Sequence, residues 1–396
     1  MLPEGWKAKQ LSDMALKISD GIHTTPKYAV KSSVYFVNGN NLKNGEIVLR
    51  ESTKYVDEND SVRHQKELGN RTLLMSINGT IGNLAYYKGE TIVLGKSACY
   101  INLKNTVDLD FIYYILADAR IQKFYTSEVT GTTIRNLSLK TIKATKIPTP
   151  PLSEQKKIAQ ILSTWDQAIT ATERLLENSQ QRKKGLMQKL LTGKRRLPGF
   201  DGEWKELRLK ELLSEEKTRN KDRSIGRVLS VTNHSGFVLP ENQFSKRVAS
   251  DDVSNYRVVR KGQYGYNPSR LNVGSFARLD AFDEGLLSPM YVVFSVDETR
   301  LHNDYFLNWM KSNEAKQRIK GSTQGSVRDS VGFDALCSFP FRIPPLDEQK
   351  NISAVLVTAD KEIQVIQIRR DQLKQEKKAL MQQLLTGKRR VQVEAP

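Results

Sequence analysis

The sequence predicts an α+β chain in which two α/β domains are separated by two long helices. The helices are expected to pack as an antiparallel coiled coil, within a pseudo-two-fold internal repeat. Three observations predict this. Residues 150–196 and 344–390 align without a gap at an offset of 194, with 24 of 47 positions identical. Each copy places apolar residues at alternating four- and three-residue steps, the pattern of a helix with one buried seam. The segments between them, 1–149 and 197–343, mix short β-type runs with Gly and Asn turn signals before turning helical.

In the first domain, residues 1–149, strands are expected at Ser33–Val37, Leu73–Ile77 and Thr91–Leu94, with turns at Asn38-Gly39, Asn78-Gly79 and Lys88-Gly89. From Asp110 the period lengthens, and Phe111, Ile112, Ile115 and Leu116 share a helix face. Pro148, Pro150 and Pro151 are expected to stop both helix and sheet and so close the domain.

The first helical segment, 150–196, takes Ser153 as N-cap, with Glu154 and Gln155 in a first turn that favours negative charge. Its seam is Ile158, Leu162, Trp165, Ile169, Thr172, Leu176, Ser179, Lys183, Leu186 and Leu190. Thr192-Gly193 ends it, followed by Lys194-Arg195-Arg196. Roughly 38 residues make a rod of roughly 57 Å. Gly185 weakens it by about 1 kcal/mol relative to Ala379 in the copy.

The second domain, 197–343, repeats the first loosely. Trp6-Lys7 returns as Trp204-Lys205, Gly82 as Gly274, and the polar loop Thr132–Asn136 as Gly325–Asp329, while the strands between have diverged. The second helical segment, 344–390, has the seam Ile352, Leu356, Ala359, Ile363, Ile366, Arg370, Leu373, Lys377, Leu380 and Leu384, and residues 391–396 read as a tail.

The 396 residues carry a formal net charge of +18, distributed over all four segments, which points to a polyanionic partner and first of all to nucleic acid. No apolar run approaches the ~18 residues a membrane span needs, and the N-terminus lacks the apolar core of a signal peptide. Cys99, Cys337 and four scattered histidines form neither a zinc cluster nor a disulfide framework, so a reducing cytoplasm is expected and no metal site.

Catalytic patterns are missing. The Gly-Lys pairs at 193 and 387 lack the upstream glycine of a phosphate loop. Tyr266-Asn267-Pro268-Ser269 lacks the second proline and stacking aromatic of an adenine methyltransferase motif. Glu154-Gln155-Lys156 and Glu348-Gln349-Lys350 read as helix starts, not nuclease centres. What remains is binding: Asn can pair bidentately with adenine and Arg with guanine in the major groove. Candidate DNA contacts are Asn38, Asn40, Asn41, Asn78, Thr80, Thr132, Thr133 and Arg135 in the first domain. In the second they are Thr232, Asn233, His234, Tyr266, Asn267, Arg270, Asn272, Gln324, Ser326 and Arg328. Each also has a simpler reading as a solvated turn residue.

With paired PPL-[SD]-EQ-K starts and paired LLTGKRR ends, the whole chain resembles the specificity subunit of a type I restriction-modification system. The resemblance implies two target-recognition domains, each reading one half of a split, asymmetric double-stranded DNA site, with the helices setting the gap. It implies no catalysis by this chain, docking of two methyltransferase subunits on the helical regions, and restriction-translocase subunits joining them. Those partners are expected to use S-adenosylmethionine, ATP and Mg. Two other readings compete: a non-enzymatic basic scaffold whose coiled coil joins two binding domains, and a self-sufficient methyltransferase or nuclease.

Overall fold

The computed structural model describes residues 2–130, 135–240, 252–323 and 330–393. In the first half the strands used below are β1 (Lys7–Gln10), β2 (Ala15–Asp20), β3 (Val34–Val37), β4 (Thr72–Ser76), β5 (Leu84–Tyr86), β6 (Ile92–Leu94), β7 (Ala98–Leu103) and β8 (Lys146–Thr149). Helices α1 (Leu109–Ala117) and α2 (Ala119–Ser127) lie between β7 and β8, and the 39-residue α3 (Leu152–Leu190) follows. The second half repeats the order with β9 (Lys205–Arg208), β10 (Leu213–Glu215), β11 (Ser230–Thr232), β12 (Tyr264–Tyr266), β13 (Phe276–Arg278), β14 (Glu284–Leu287), β15 (Val292–Val296) and β16 (Pro340–Ile343). Helices α4 (Asn303–Met310), α5 (Asn313–Thr323) and the 39-residue α6 (Leu346–Leu384) complete it.

The chain divides into two packed units, Met1–Glu173 with Arg369–Pro396, and Arg174–Ile368. Each contains an antiparallel four-stranded sheet of the same order, β2-β7-β4-β5 in the first and β10-β15-β12-β13 in the second. Each also pairs its first strand with its last, β1 with β8 and β9 with β16. The remaining strands differ. In the first unit β3 runs parallel to β6 in a second four-stranded sheet, whereas β11 and β14 belong to separate two-stranded ribbons. The frame is repeated and its contents have changed, as the uneven sequence similarity implies.

Alternation along β4 explains its total burial. Leu73 and Met75 enter a core shared with Phe111, Ile112 and Ile115, while Leu74 on the other face joins Val37, Leu94 and Tyr100. The second unit stacks Tyr264, Phe294 and Phe306 against Trp309 and Phe341.

Each long helix gives one half to each unit. In the first unit Ile158 and Leu162 of α3 share a core with Leu384 of α6 and with Leu385 just beyond it. There Lys377 meets Asp166 at 2.5 Å and Lys374 meets Glu173 at 2.6 Å, so residues later in one helix face residues earlier in the other. In the second unit Leu190 and Leu191 pack with Ile352 and Leu356, and Lys183 reaches Asp360 at 2.5 Å. Within each unit the pair is therefore antiparallel. Trp165, Leu186, Ile363 and Leu380 are half-buried, as are the polar seam positions Lys183, Arg370 and Lys377, while Ile169, Leu176, Ile366 and Leu373 are buried.

Two expectations are corrected. Pro148 does not stop the sheet but pairs opposite Ala8, tolerated because β8 is an edge strand that has only one neighbour to satisfy. Ser153 is not an N-cap, because α3 begins one residue before it. Gly185 lies inside α3 with nothing within 4 Å of an added Cβ. Gly185→Ala is expected to stabilise the second unit by about 1 kcal/mol. Urea unfolding followed by circular dichroism checks this, and a loss of stability would contradict it.

Candidate nucleic-acid interface

The repeated motifs build a clasp in each unit, and the two clasps match bond for bond. Glu154, almost fully buried, accepts the Trp6 indole N–H at 3.2 Å and two N–H groups of Arg390, at 2.7 and 2.9 Å. Glu348, with no exposed surface, accepts the Trp204 indole at 3.1 Å and Arg196 at 2.5 and 2.7 Å. Each guanidinium also lies over its tryptophan ring. Donating these bidentate bonds to Glu348 and Glu154 raises the pKa of Arg196 and Arg390 respectively.

The neighbouring glutamines repeat as well. Gln155 accepts the Asp108 backbone N–H at 2.9 Å and donates to Pro150 O at 2.9 Å. Gln349 accepts from His302 N at 2.8 Å and donates to Pro344 O at 2.9 Å. The Glu-Gln pairs are thus ties between a helix start, a basic helix end and the α/β fold, which is more than the helix-start role read from the sequence.

Beyond the ends of the central strands of each four-stranded sheet, loops enclose clefts. In the first unit a cleft of about 520 Å³ is lined by Asn38, Asn78, Lys96, Ser97, His23 and Asn136. A smaller one of about 210 Å³ is lined by Asn38, Asn40, Asn41, Arg50, Lys54 and Tyr28. Asn38 borders both, and its Oδ1 accepts the Ser97 hydroxyl at 2.9 Å. Asn78 donates its carboxamide to Lys96 O at 3.2 Å, and Gly79, in the left-handed region, donates its backbone N–H to Arg135 O. Thr80 and Arg135 are exposed outside these clefts.

In the second unit Thr232, Asn233, Asn267 and Arg270 converge on one cleft of about 480 Å³. Gly274, with φ 89°, closes the loop beside it, and its sequence counterpart Gly82 is also left-handed, with φ 81°. Asn267 is committed at both ends of its amide: Oδ1 accepts Ser269 N at 3.0 Å and Nδ2 donates to Met290 Sδ at 3.7 Å. His234 and Asn272 are exposed and line no part of that cleft.

Two candidates are withdrawn for physical reasons. Tyr266 is fully buried in β12, its ring edge-on to Phe294. Asn41 is buried, with its amide bonded to Val48 O, Thr53 Oγ1 and Asn38 N. Thr132, Thr133, Gln324, Ser326 and Arg328 lie outside the described residues. Sequence reasoning missed His23, Arg50, Lys54, Lys96, Val273 and Met290. Only topology gathers them, although the basic ones belong to the charge excess already noted.

Among the described residues no group of His, Cys, Asp or Glu side chains could hold a metal ion, and no helix is long and apolar enough to cross a membrane. Both cysteines are buried, and burial pushes the Cys337 thiol up to about 11 and the Cys99 thiol higher still. Neither is prepared as a nucleophile.

Comparison with known proteins adds a family. The model of the type I restriction modification DNA specificity domain matches residues 3–178 and 269–375. The type I restriction enzyme MjaVIII specificity subunit of Methanocaldococcus jannaschii is 24% identical over 325 residues, covering 77% of this chain and 76% of its own. A chain in a solved structure concerned with complex assembly and conformational transition of the type I R-M system matches with TM-score 0.60. It is 17% identical over 98% of this chain and 99% of its own. The S subunit of a type I restriction-modification system from M. genitalium matches with TM-score 0.58, at 14% identity over 96% of each chain. At those identities the solved structures speak for the fold alone.

Proposed function

The chain belongs to the type I restriction-modification DNA specificity family, and from that premise we propose that it is the sequence-reading subunit of a DNA-modifying complex. Each α/β domain reads one half of a bipartite, asymmetric DNA site through the loops at the ends of its central strands. The observation that carries this is the convergence of amide and basic side chains on matching clefts, Asn38, Asn78 and Lys96 in one unit and Asn233, Asn267 and Arg270 in the other. Side chains on those rims can reach base edges, while the net charge of +18 supplies the sequence-independent attraction to phosphate.

The two long helices act as a spacer between half-sites and as the platform for two methyltransferase subunits, with restriction subunits joining the assembly. Two features support a platform. A groove of about 1230 Å³ beside the helices of the first unit is lined by Tyr86, Tyr113 and Tyr114. Leu175, Val365 and Ile368 stand exposed on the helices of the second. In this reading S-adenosylmethionine, ATP and Mg belong to the partners.

A radioactive methyl-transfer assay tests the assignment. The purified chain alone is expected to transfer nothing, whereas addition of the methyltransferase subunit should give sequence-specific adenine methylation. Methyl transfer by the chain alone would contradict it.

A further inference from the structure

The two clefts are built on one plan but differ at one loop. In each unit an asparagine just after the central strand, Asn78 after β4 and Asn267 after β12, donates its amide to the loop entering the neighbouring strand. In the first unit that loop presents an exposed lysine, Lys96. In the second it presents Met290, 64% exposed, and Val273 on the same cleft is 60% exposed. Two apolar side chains left in water on one cleft offer a ligand an apolar contact, and the Asn267 amide holds the sulfur of one of them. The cleft also carries the exposed cation Arg270, so its occupant combines negative charge with a small apolar group. In the major groove one base offers that group, thymine through its 5-methyl.

We propose that Met290, with Val273 beside it, reads the 5-methyl group of a thymine in the half-site bound by the second unit, and that Asn267 positions Met290 instead of pairing with a base. This deepens the DNA-reading function above and rests on it. In the first unit the corresponding loop presents the charged Lys96 in place of Met290.

Once the target is known, each thymine in both half-sites is replaced singly by deoxyuridine, which lacks only the methyl. Binding is then measured with the chain assembled with its methyltransferase subunits. Loss of one well-packed methyl contact weakens binding roughly three- to tenfold. That loss is expected at a thymine of one half-site only, and Met290→Ala should remove it by lowering affinity for the thymine duplex to that for the uracil duplex. Because Met290 is exposed, the variant is expected to fold, and binding of the uracil duplex with the affinity of the unsubstituted chain checks this. Binding indifferent to every replacement, or sensitivity that survives in a Met290→Ala, Val273→Ala double variant, would overturn the inference alone. A complex with no sequence-specific binding would overturn the DNA-reading function and the inference with it.

Discussion

Glu348→Ala is expected to destabilise the second unit by roughly 3 kcal/mol, the lower end of what breaking a buried ion pair removes. The carboxylate has no exposed surface and is the shared acceptor of Arg196 and the Trp204 indole. Truncation leaves a guanidinium and a buried N–H without it, next to a methyl-sized remnant. Arg196 keeps a quarter of its side chain in water, which limits the loss. Glu154→Ala should do less, because Arg390 is 45% exposed and recovers more hydration. Urea unfolding followed by tryptophan fluorescence ranks the two variants, with Trp6 and Trp165 reporting on the first unit and Trp204 and Trp309 on the second. A loss under about 1 kcal/mol for Glu348→Ala, or the reverse ranking, would contradict the clasp account.

Lengthening both helices by one heptad is expected to change the number of skipped base pairs by one or more while leaving both half-sites unchanged. Glu173/Arg174 in α3 and Ile368/Arg369 in α6 are the places where the helices pass from one unit to the other, so insertions there spare both sets of core contacts. Seven residues add about 10 Å, against about 3.4 Å per base pair. They also add close to two full turns, so the buried seam keeps its face. Methylation mapping of cells expressing the lengthened chain reads the result. An unaltered gap would remove the spacer role, and altered half-sites would mean that the insertion had disturbed the recognition domains.

What was legible in the sequence followed from periodicity and repetition. The heptad seam could be read because a residue such as Leu356 or Ile366 must be apolar wherever two helices meet along a line. The internal repeat announced itself because the clasp needs Glu, Gln and Arg together, and its chemistry leaves little freedom at those positions. Its purpose was hidden. Nothing local links Glu154 to Arg390, which lie 236 residues apart and meet only when α6 returns beside α3.

The clefts were half legible for a related reason. Asn38, Asn78 and Asn267 stood out as polar residues at turns, but sequence could not separate them from Asn41, whose amide is spent inside the fold. Nor could it mark Met290 or Val273, since only the folded chain reveals which apolar residues remain in water. Tyr266 misled in the opposite direction, being a polar-tipped ring that the sheet takes wholly into its core.

In the proposed function, two unlike readers on one chain address two separated half-sites. Single-molecule sequencing of modified bases, in cells that carry this chain and its methyltransferase subunit as their sole modification system, tests it most directly. The account predicts methylated adenines within one asymmetric motif of two short specified halves separated by a fixed number of unspecified base pairs. A contiguous motif, or methylation with no shared motif, would contradict it.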